Sequence, residues 1–159
     1  MKTPQPATTL NEQPMPVRVK LAAAWTSFMF LYAYVDILNF YTPGTITDIL
    51  DGRVFEFALS QTFSTSALTL MAVPIFMIVL SVTLPARVSR MANLIVAALY
   101  VPVTVFNLAS ESWLVFYGLG VALEMVLLGL ILRSAWTWPR TASTATVAVR
   151  QTVGASQRG

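Results

Sequence analysis

The sequence predicts an all-α polytopic membrane protein. The expected form is a four-helix bundle with both termini cytoplasmic (N-in/C-in) and a short extracytoplasmic helix or interfacial segment between spans one and two. Three observations predict it. The 159 residues are 56% hydrophobic and only 11% charged, against about 25% charged for an ordinary soluble domain. The apolar residues gather into four runs, each close to the roughly 20 residues that one spanning helix needs. The basic residues are also one-sided: Lys2, Arg18, Lys20, Arg87, Arg90, Arg133, Arg140, Arg150 and Arg158 share a side, and only Arg53 lies opposite, beside Asp48, Asp51, Glu56 and Glu111. Lysine and arginine accumulate on the cytoplasmic side of membrane proteins.

The same composition excludes several classes. With no Cys and no His, the chain offers no disulfide, no Cys/His zinc site, no thiolate nucleophile, no imidazole base and no His-ligated haem. The pI near 9.6 does not indicate nucleic acid, because the basic residues flank apolar spans as topology signals do. The first apolar run is too long for a secretory h-region and carries Asp36, so a cleaved signal peptide is not expected.

Residues 1–18 hold four prolines among Thr, Gln and Asn, a composition that cannot bury a core and reads as a disordered cytoplasmic tail. The membrane domain covers 19–139, with spans at about 19–41, 62–84, 91–109 and 113–135. Span one closes at Tyr41-Thr42-Pro43-Gly44: Pro43 disfavours helix at Thr42, and Gly44 permits a positive φ. Thr45-Ile46-Thr47-Asp48 reads as a capping-box variant opening a short helix that ends at Gly52. Arg53–Gln61 fits either an interfacial segment, with Phe55, Phe57 and Leu59 dipping into lipid, or the start of span two.

Span two carries Pro74, which frees the Leu70 carbonyl and predicts a kink. Pro85-Ala86-Arg87 reads as a helix break, with Arg87 and Arg90 in a short basic loop. Span three contains Pro102, and Ser110-Glu111-Ser112 reads as a minimal turn before span four. Trp136, Trp138 and Pro139 form an interfacial belt and a stop. Residues 140–159 lack apolar periodicity and read as a second disordered cytoplasmic tail.

Candidate functional residues are the polar groups inside the spans. Trp25, Met29, Tyr32, Asp36 and Asn39 recur at spacings of four and three and share one face of span one. Asn93, Ala97, Tyr100, Thr104 and Asn107 repeat the pattern in span three; Ser66, Thr69, Val73, Met77 and Ser81 align in span two; Tyr117, Gly120, Glu124 and Leu128 align in span four. The stripes are expected to converge inside the bundle, with Gly118 and Ala122 offering a small-residue contact surface. By helical rise, Asp36 lies roughly 8 Å from the outer end and Glu124 roughly 16 Å. That offset does not by itself bring the two carboxylates together, but a chain Asp36–Thr104–Tyr100–Glu124 is geometrically possible.

Asp36 and Glu124 read either as protonated, hydrogen-bonded glue between helices or as a ligand or proton site, since carboxylates within a membrane are costly. Tyr32, Asn39, Tyr100, Thr104 and Asn107 would orient a ligand or bridge helices, and Trp25 is an interface anchor or a cavity wall. No nucleophile elbow, P-loop or dinucleotide fingerprint occurs, so no residue set supports catalysis and no cofactor or metal is named.

Trp25, Tyr34-Val35-Asp36, Tyr41-Thr42-Pro43-Gly44, Pro74 with Met77, Leu80-Ser81, Arg90 with Asn93, Glu124 and Ala135-Trp136-Thr137-Trp138-Pro139 form an ordered set. In that set the chain resembles an uncharacterised bacterial four-helix integral membrane family (domain of unknown function 6326), loosely DoxX-like. The resemblance runs from about Val19 to Pro139 and implies four spans in a bacterial cell (inner) membrane. The DoxX-like comparison implies, by architecture alone, contact with quinone-linked redox chemistry. Three functions stay open: binding or transport of a small amphipathic molecule or protons; an accessory subunit of a larger membrane complex or homo-oligomer, suggested by Gly118, Ala122 and Gly129; and, last, a quinone-using enzyme.

Overall fold

The computed structural model describes residues 15–54, 57–107 and 113–139. The elements are α1 (Val17–Asn39), α2 (Thr45–Leu50), β1 (Arg53–Val54), β2 (Phe57–Ala58), α3 (Gln61–Thr83), α4 (Ala86–Phe106) and α5 (Leu114–Trp136). Four of them, α1, α3, α4 and α5, are long and apolar enough to cross a membrane. Residues 1–14 of the tail predicted at 1–18, the tail at 140–159, the Ser110-Glu111-Ser112 turn and Phe55 lie outside the described residues, while Val17 and Arg18, placed in that tail, already belong to α1.

Helix α1 packs against α3 and α5, and α4 packs against α5 and α3, so the four long helices form a ring with α1 and α4 on its diagonal. The bundle is arranged for lipid. Leu119, Leu123, Val126 and Leu130 of α5 are exposed, whereas Ser81, Ser89, Asn93, Thr104 and Glu124 are buried. Around those polar groups packs an interior of Leu21, Trp25, Phe28, Met77, Ala97, Tyr100, Leu128, Ile131 and Ala135. Polar residues inside and apolar residues outside are what a hydrocarbon solvent selects.

The helix ends explain where the sequence reading shifts. Pro85 is the N-cap of α4, which begins at Ala86; a proline beside the first turn starts a helix at no hydrogen-bonding cost. Arg87 and Arg90 therefore stand in the first turns of α4, not in a loop. Arg90 Nε donates to the Ala135 carbonyl at 3.1 Å, and Arg18 Nη1 donates to the Val82 carbonyl at 3.1 Å. Two arginines thus cap the C-terminal ends of α5 and α3, where free carbonyls and the negative end of the helix dipole favour cations.

At the opposite end, α1 runs to Asn39 and the chain turns through Gly44, whose φ of 95° requires glycine. The capping box does not form. Gly44 is itself the N-cap of α2 and Thr45 is already helical, so the Thr45 hydroxyl lies 3.4 Å from Asn39 Oδ1 instead. After Gly52 the segment read as interfacial or as the start of span two is a two-stranded antiparallel hairpin, pairing Arg53 with Ala58 and Val54 with Phe57. Ser60 then caps α3 by accepting from the Phe63 amide at 3.1 Å.

Helix α3 continues through Pro74. Its buried residues are Pro74, Met77 and Ser81 only, and Ser66, Thr69 and Val73 are exposed. The predicted convergence of four polar stripes therefore holds for α3 only from Pro74 onward. At the end away from the arginine caps, the interior is framed by α1, α4 and α5.

Candidate functional site: a polar chamber between α1, α4 and α5

One cavity, with about 70 Å³ of room for water-sized molecules, lies in that frame, lined by Tyr32, Val35, Asp36, Asn39, Asn107, Tyr117, Val121 and Glu124. It holds five of the predicted candidates: Tyr32, Asp36 and Asn39 from α1, Asn107 at the end of α4, and Glu124 from α5. The spacing of four and three along α1 turns its three polar groups to one side.

Helix register shows why two carboxylates offset along the sequence meet. A Cβ added to Gly120 would lie 3.1 Å from Val35 Cγ2, so these two positions are level where α1 and α5 approach closely. Asp36 lies one residue beyond Val35 along α1 and Glu124 four residues beyond Gly120 along the antiparallel α5. Their backbones are then offset by about 7 Å along the axis. Helical side chains lean toward their own N-terminus, so Asp36 and Glu124 lean toward each other. Asp36, Tyr32 and Glu124 line the same cavity.

The walls are partly satisfied. Asn107 Nδ2 donates to the Tyr32 hydroxyl at 2.8 Å, bridging α4 and α1 across the bundle diagonal. The Tyr117 hydroxyl donates to Asn39 Oδ1 at 2.5 Å, bridging α5 and α1. At the base the accounting changes. Glu124 is 3% exposed, yet its Oε2 has no hydrogen-bond partner, and neither has the buried Thr104 hydroxyl. The Asp36 side chain, by contrast, is exposed at the mouth.

Tyr100 and Trp25 do not line the chamber. The Tyr100 hydroxyl donates to the Leu70 carbonyl, the acceptor that Pro74 leaves without its helical donor. This takes Tyr100 out of the Asp36–Thr104–Tyr100–Glu124 chain. Its ring instead packs edge-on against Trp25 and Phe28, at centroid distances of 6.2 and 5.9 Å, and Trp25 and Phe28 meet at 5.7 Å. These three aromatics, all buried, pack behind the chamber wall, with the Phe28 ring 6.1 Å from that of the lining Tyr32.

Beneath them lies a second polar group with its bonds closed. Trp25 Nε1 donates to Asn93 Oδ1 at 2.7 Å. The Ser81 hydroxyl lies 3.2 Å from the same oxygen and 2.6 Å from the Met77 carbonyl. Asn93 Nδ2 donates to the Ser89 carbonyl at 2.8 Å, and the Ser89 hydroxyl donates to the Ser81 carbonyl at 3.1 Å. This knot joins α1, α3 and α4 and absorbs Trp25 as a structural donor.

Tyr117, Val35 and Val121 line the chamber without having been singled out as site residues. Tyr117 had a signal, lying seven residues before Glu124 on one face. The valines had none, because one apolar wall residue among many carries no mark. The expected small-residue contact also moves: a Cβ on Gly118 would meet nothing within 4 Å, and Gly120 makes the close approach.

Four apolar helices around buried polar side chains define a small polytopic helical membrane protein. The comparisons with known proteins name it further. The chain belongs to the family of unknown function DUF6326, whose sequence profile matches residues 15–145. No match was found among curated proteins or among solved structures.

Proposed function

We propose that this protein binds a small amphipathic molecule in the chamber between α1, α4 and α5, with Glu124 at its base and Asp36 at its mouth. The observation that carries this reading is the Glu124 Oε2 atom, buried and without a partner on the wall of a cavity. A buried polar atom left unpaired costs roughly 1–3 kcal/mol, more when charged. A fold that keeps such a cost where a cavity adjoins it leaves that atom for a ligand. The packed aromatics Trp25, Phe28 and Tyr100, buried between the chamber and the arginine-capped end, favour a one-sided pocket over a continuous path. In this reading the protein sits in a bacterial cell membrane with both termini cytoplasmic. The arginine-capped end faces the cytoplasm and the chamber opens on the outer side.

Protein reconstituted in liposomes provides the test. Saturable, pH-dependent binding of a small amphiphile is expected, lost in the Asp36→Asn, Glu124→Gln double variant and in Val121→Trp, which fills the chamber. Binding that survives both variants sinks the proposal. Labelling of single cysteines, in a chain with none of its own, tests orientation: Arg53→Cys should react from outside and Arg87→Cys from inside.

A second reading, assembly into a larger membrane complex, is favoured by the outward face of α5. Added Cβ atoms on Gly118 and Gly129 meet nothing, and Ala122 and Gly129 are exposed. Small residues on an uncovered helix face suit close helix contact. Gly129→Leu should then break a native-membrane assembly and leave chamber binding intact.

A further inference from the structure

We infer that the group the chamber takes is a cation, the ammonium headgroup of a lipophilic amine, and not a quinone or an anion. This rests on the reading of the chamber as a binding site and names the chemistry of its ligand. The titratable groups facing the cavity are Asp36 and Tyr32 from α1 and Glu124 and Tyr117 from α5, while α4 contributes the non-titrating Asn107. Among the described residues no lysine or arginine lines it. Arg18 and Arg90 are engaged at the other end of the bundle, and Arg53 pairs with Asp48 at 3.7 Å. The sequence has no histidine. Two carboxyl groups therefore share one cavity with no basic side chain among its lining, and Oε2 of the buried one has no hydrogen-bond partner.

An anion entering this space would meet repulsion from both carboxylates. A quinone presents only carbonyl acceptors and would leave an ionised Glu124 without a donor. An ammonium ion supplies what is missing: positive charge and N–H donors for the Glu124 carboxylate on the cavity wall. Attraction between opposite charges strengthens several-fold as water is excluded. The tyrosine rings suit the same group, since aromatic faces attract alkylammonium ions. The rest of the ligand is also placed. Val35 and Val121 line the apolar part of the cavity, and Asp36 is exposed at the mouth. A headgroup inside and a hydrocarbon tail lying outward in lipid fits those surfaces.

The experiment uses the full chain in a neutral maltoside detergent, with binding read by calorimetry and by the thermal unfolding midpoint. The probes are hexylammonium, hexan-1-ol, hexanoate, a short-chain benzoquinone and dihexanoyl phosphatidylethanolamine. Hexylammonium is expected to bind about tenfold or more tightly than hexan-1-ol, a difference of about 1.4 kcal/mol or more, and hexanoate not at all. Glu124→Gln should bring the ammonium and alcohol within about twofold of each other, and Asp36→Asn should weaken the ammonium alone. Binding by hexylammonium only assigns a free amine, and binding by the phosphatidylethanolamine as well extends the class to lipid ammonium headgroups.

Alcohol, hexanoate or quinone binding as tightly as the ammonium, and lost in Val121→Trp, overturns the cation assignment but leaves the binding site standing. Failure of every probe to bind overturns both. An ammonium preference that persists in both carboxyl variants, or is matched by sodium chloride at equal ionic strength, also overturns the cation assignment. Size exclusion and circular dichroism check folding. If Glu124→Gln does not fold, Asp36→Asn at the exposed mouth decides alone.

Discussion

Two buried polar groups in one bundle are built to opposite rules. At the arginine-capped end, Trp25, Ser81, Ser89 and Asn93 spend their donors and acceptors on one another across three helices. At the far end, Tyr32, Asn39, Asn107 and Tyr117 pair off, yet Glu124 Oε2 at the base and the buried Thr104 hydroxyl stay unpaired. The first group adjoins packed aromatics; the second borders open volume. A satisfied polar knot specifies how helices dock, because any other register would strand its members in hydrocarbon. An unsatisfied one is stability held back for another purpose. The contrast teaches that polarity alone does not mark a site in a membrane bundle. Incomplete pairing beside free volume does.

Breaking the closed knot should have the largest effect. Asn93→Leu removes the acceptor for Trp25 Nε1 and for Ser81, and is expected to destabilise the protein by about 1–3 kcal/mol, read as a lower thermal midpoint in detergent. A smaller change would mean the knot is not what registers α1, α3 and α4.

Next comes the wall where α1 and α5 touch. Gly120→Val places carbon against Val35 and should cost about 1–2 kcal/mol by overpacking, while spreading the helices that frame the chamber. Ligand binding should fall with it, and unaltered binding would show that this contact does not shape the cavity. Tyr100→Phe strands the Leu70 carbonyl at the cost of about one membrane hydrogen bond, roughly 0.6–1.7 kcal/mol. It should leave chamber binding unchanged, and lost binding would put Tyr100 back in the site.

The smallest effect on stability is expected at the residue proposed to matter most for function. Glu124→Gln keeps the shape and removes a buried, unpartnered carboxyl, so the thermal midpoint should hold or rise while ligand binding collapses. A drop comparable to that of Asn93→Leu would make Glu124 structural and erase the distinction between the two groups.

Much of this was legible in the residues. The four long apolar runs, the glycine turn at Gly44 and the carbonyl released by Pro74 all follow from local rules. So did the alignment of Tyr32, Asp36 and Asn39, because helical periodicity is a local property of the chain. Other features were not legible. Arg87 and Arg90 read as loop residues because Pro85 signals a break but not how soon the next helix begins. Thr45 read as a cap because its rival partner, Asn39, belongs to the previous helix. Tyr100 and Trp25 read as site residues because each sits on a polar stripe, and a stripe does not reveal which neighbour consumes its hydrogen bonds.

What the sequence determined by itself is a membrane-spanning helical protein with polar stripes at calculable depths, because length, hydropathy and periodicity act within one helix at a time. The tertiary structure alone decided which stripes meet. Helix order set α1 and α4 on the diagonal. The approach of Gly120 to Val35 set the register that leans Asp36 and Glu124 together, and the outer half of α3 stayed out of the core. Those outcomes depend on packing between segments far apart in the chain, and that packing separates a closed knot at Asn93 from an open chamber at Glu124.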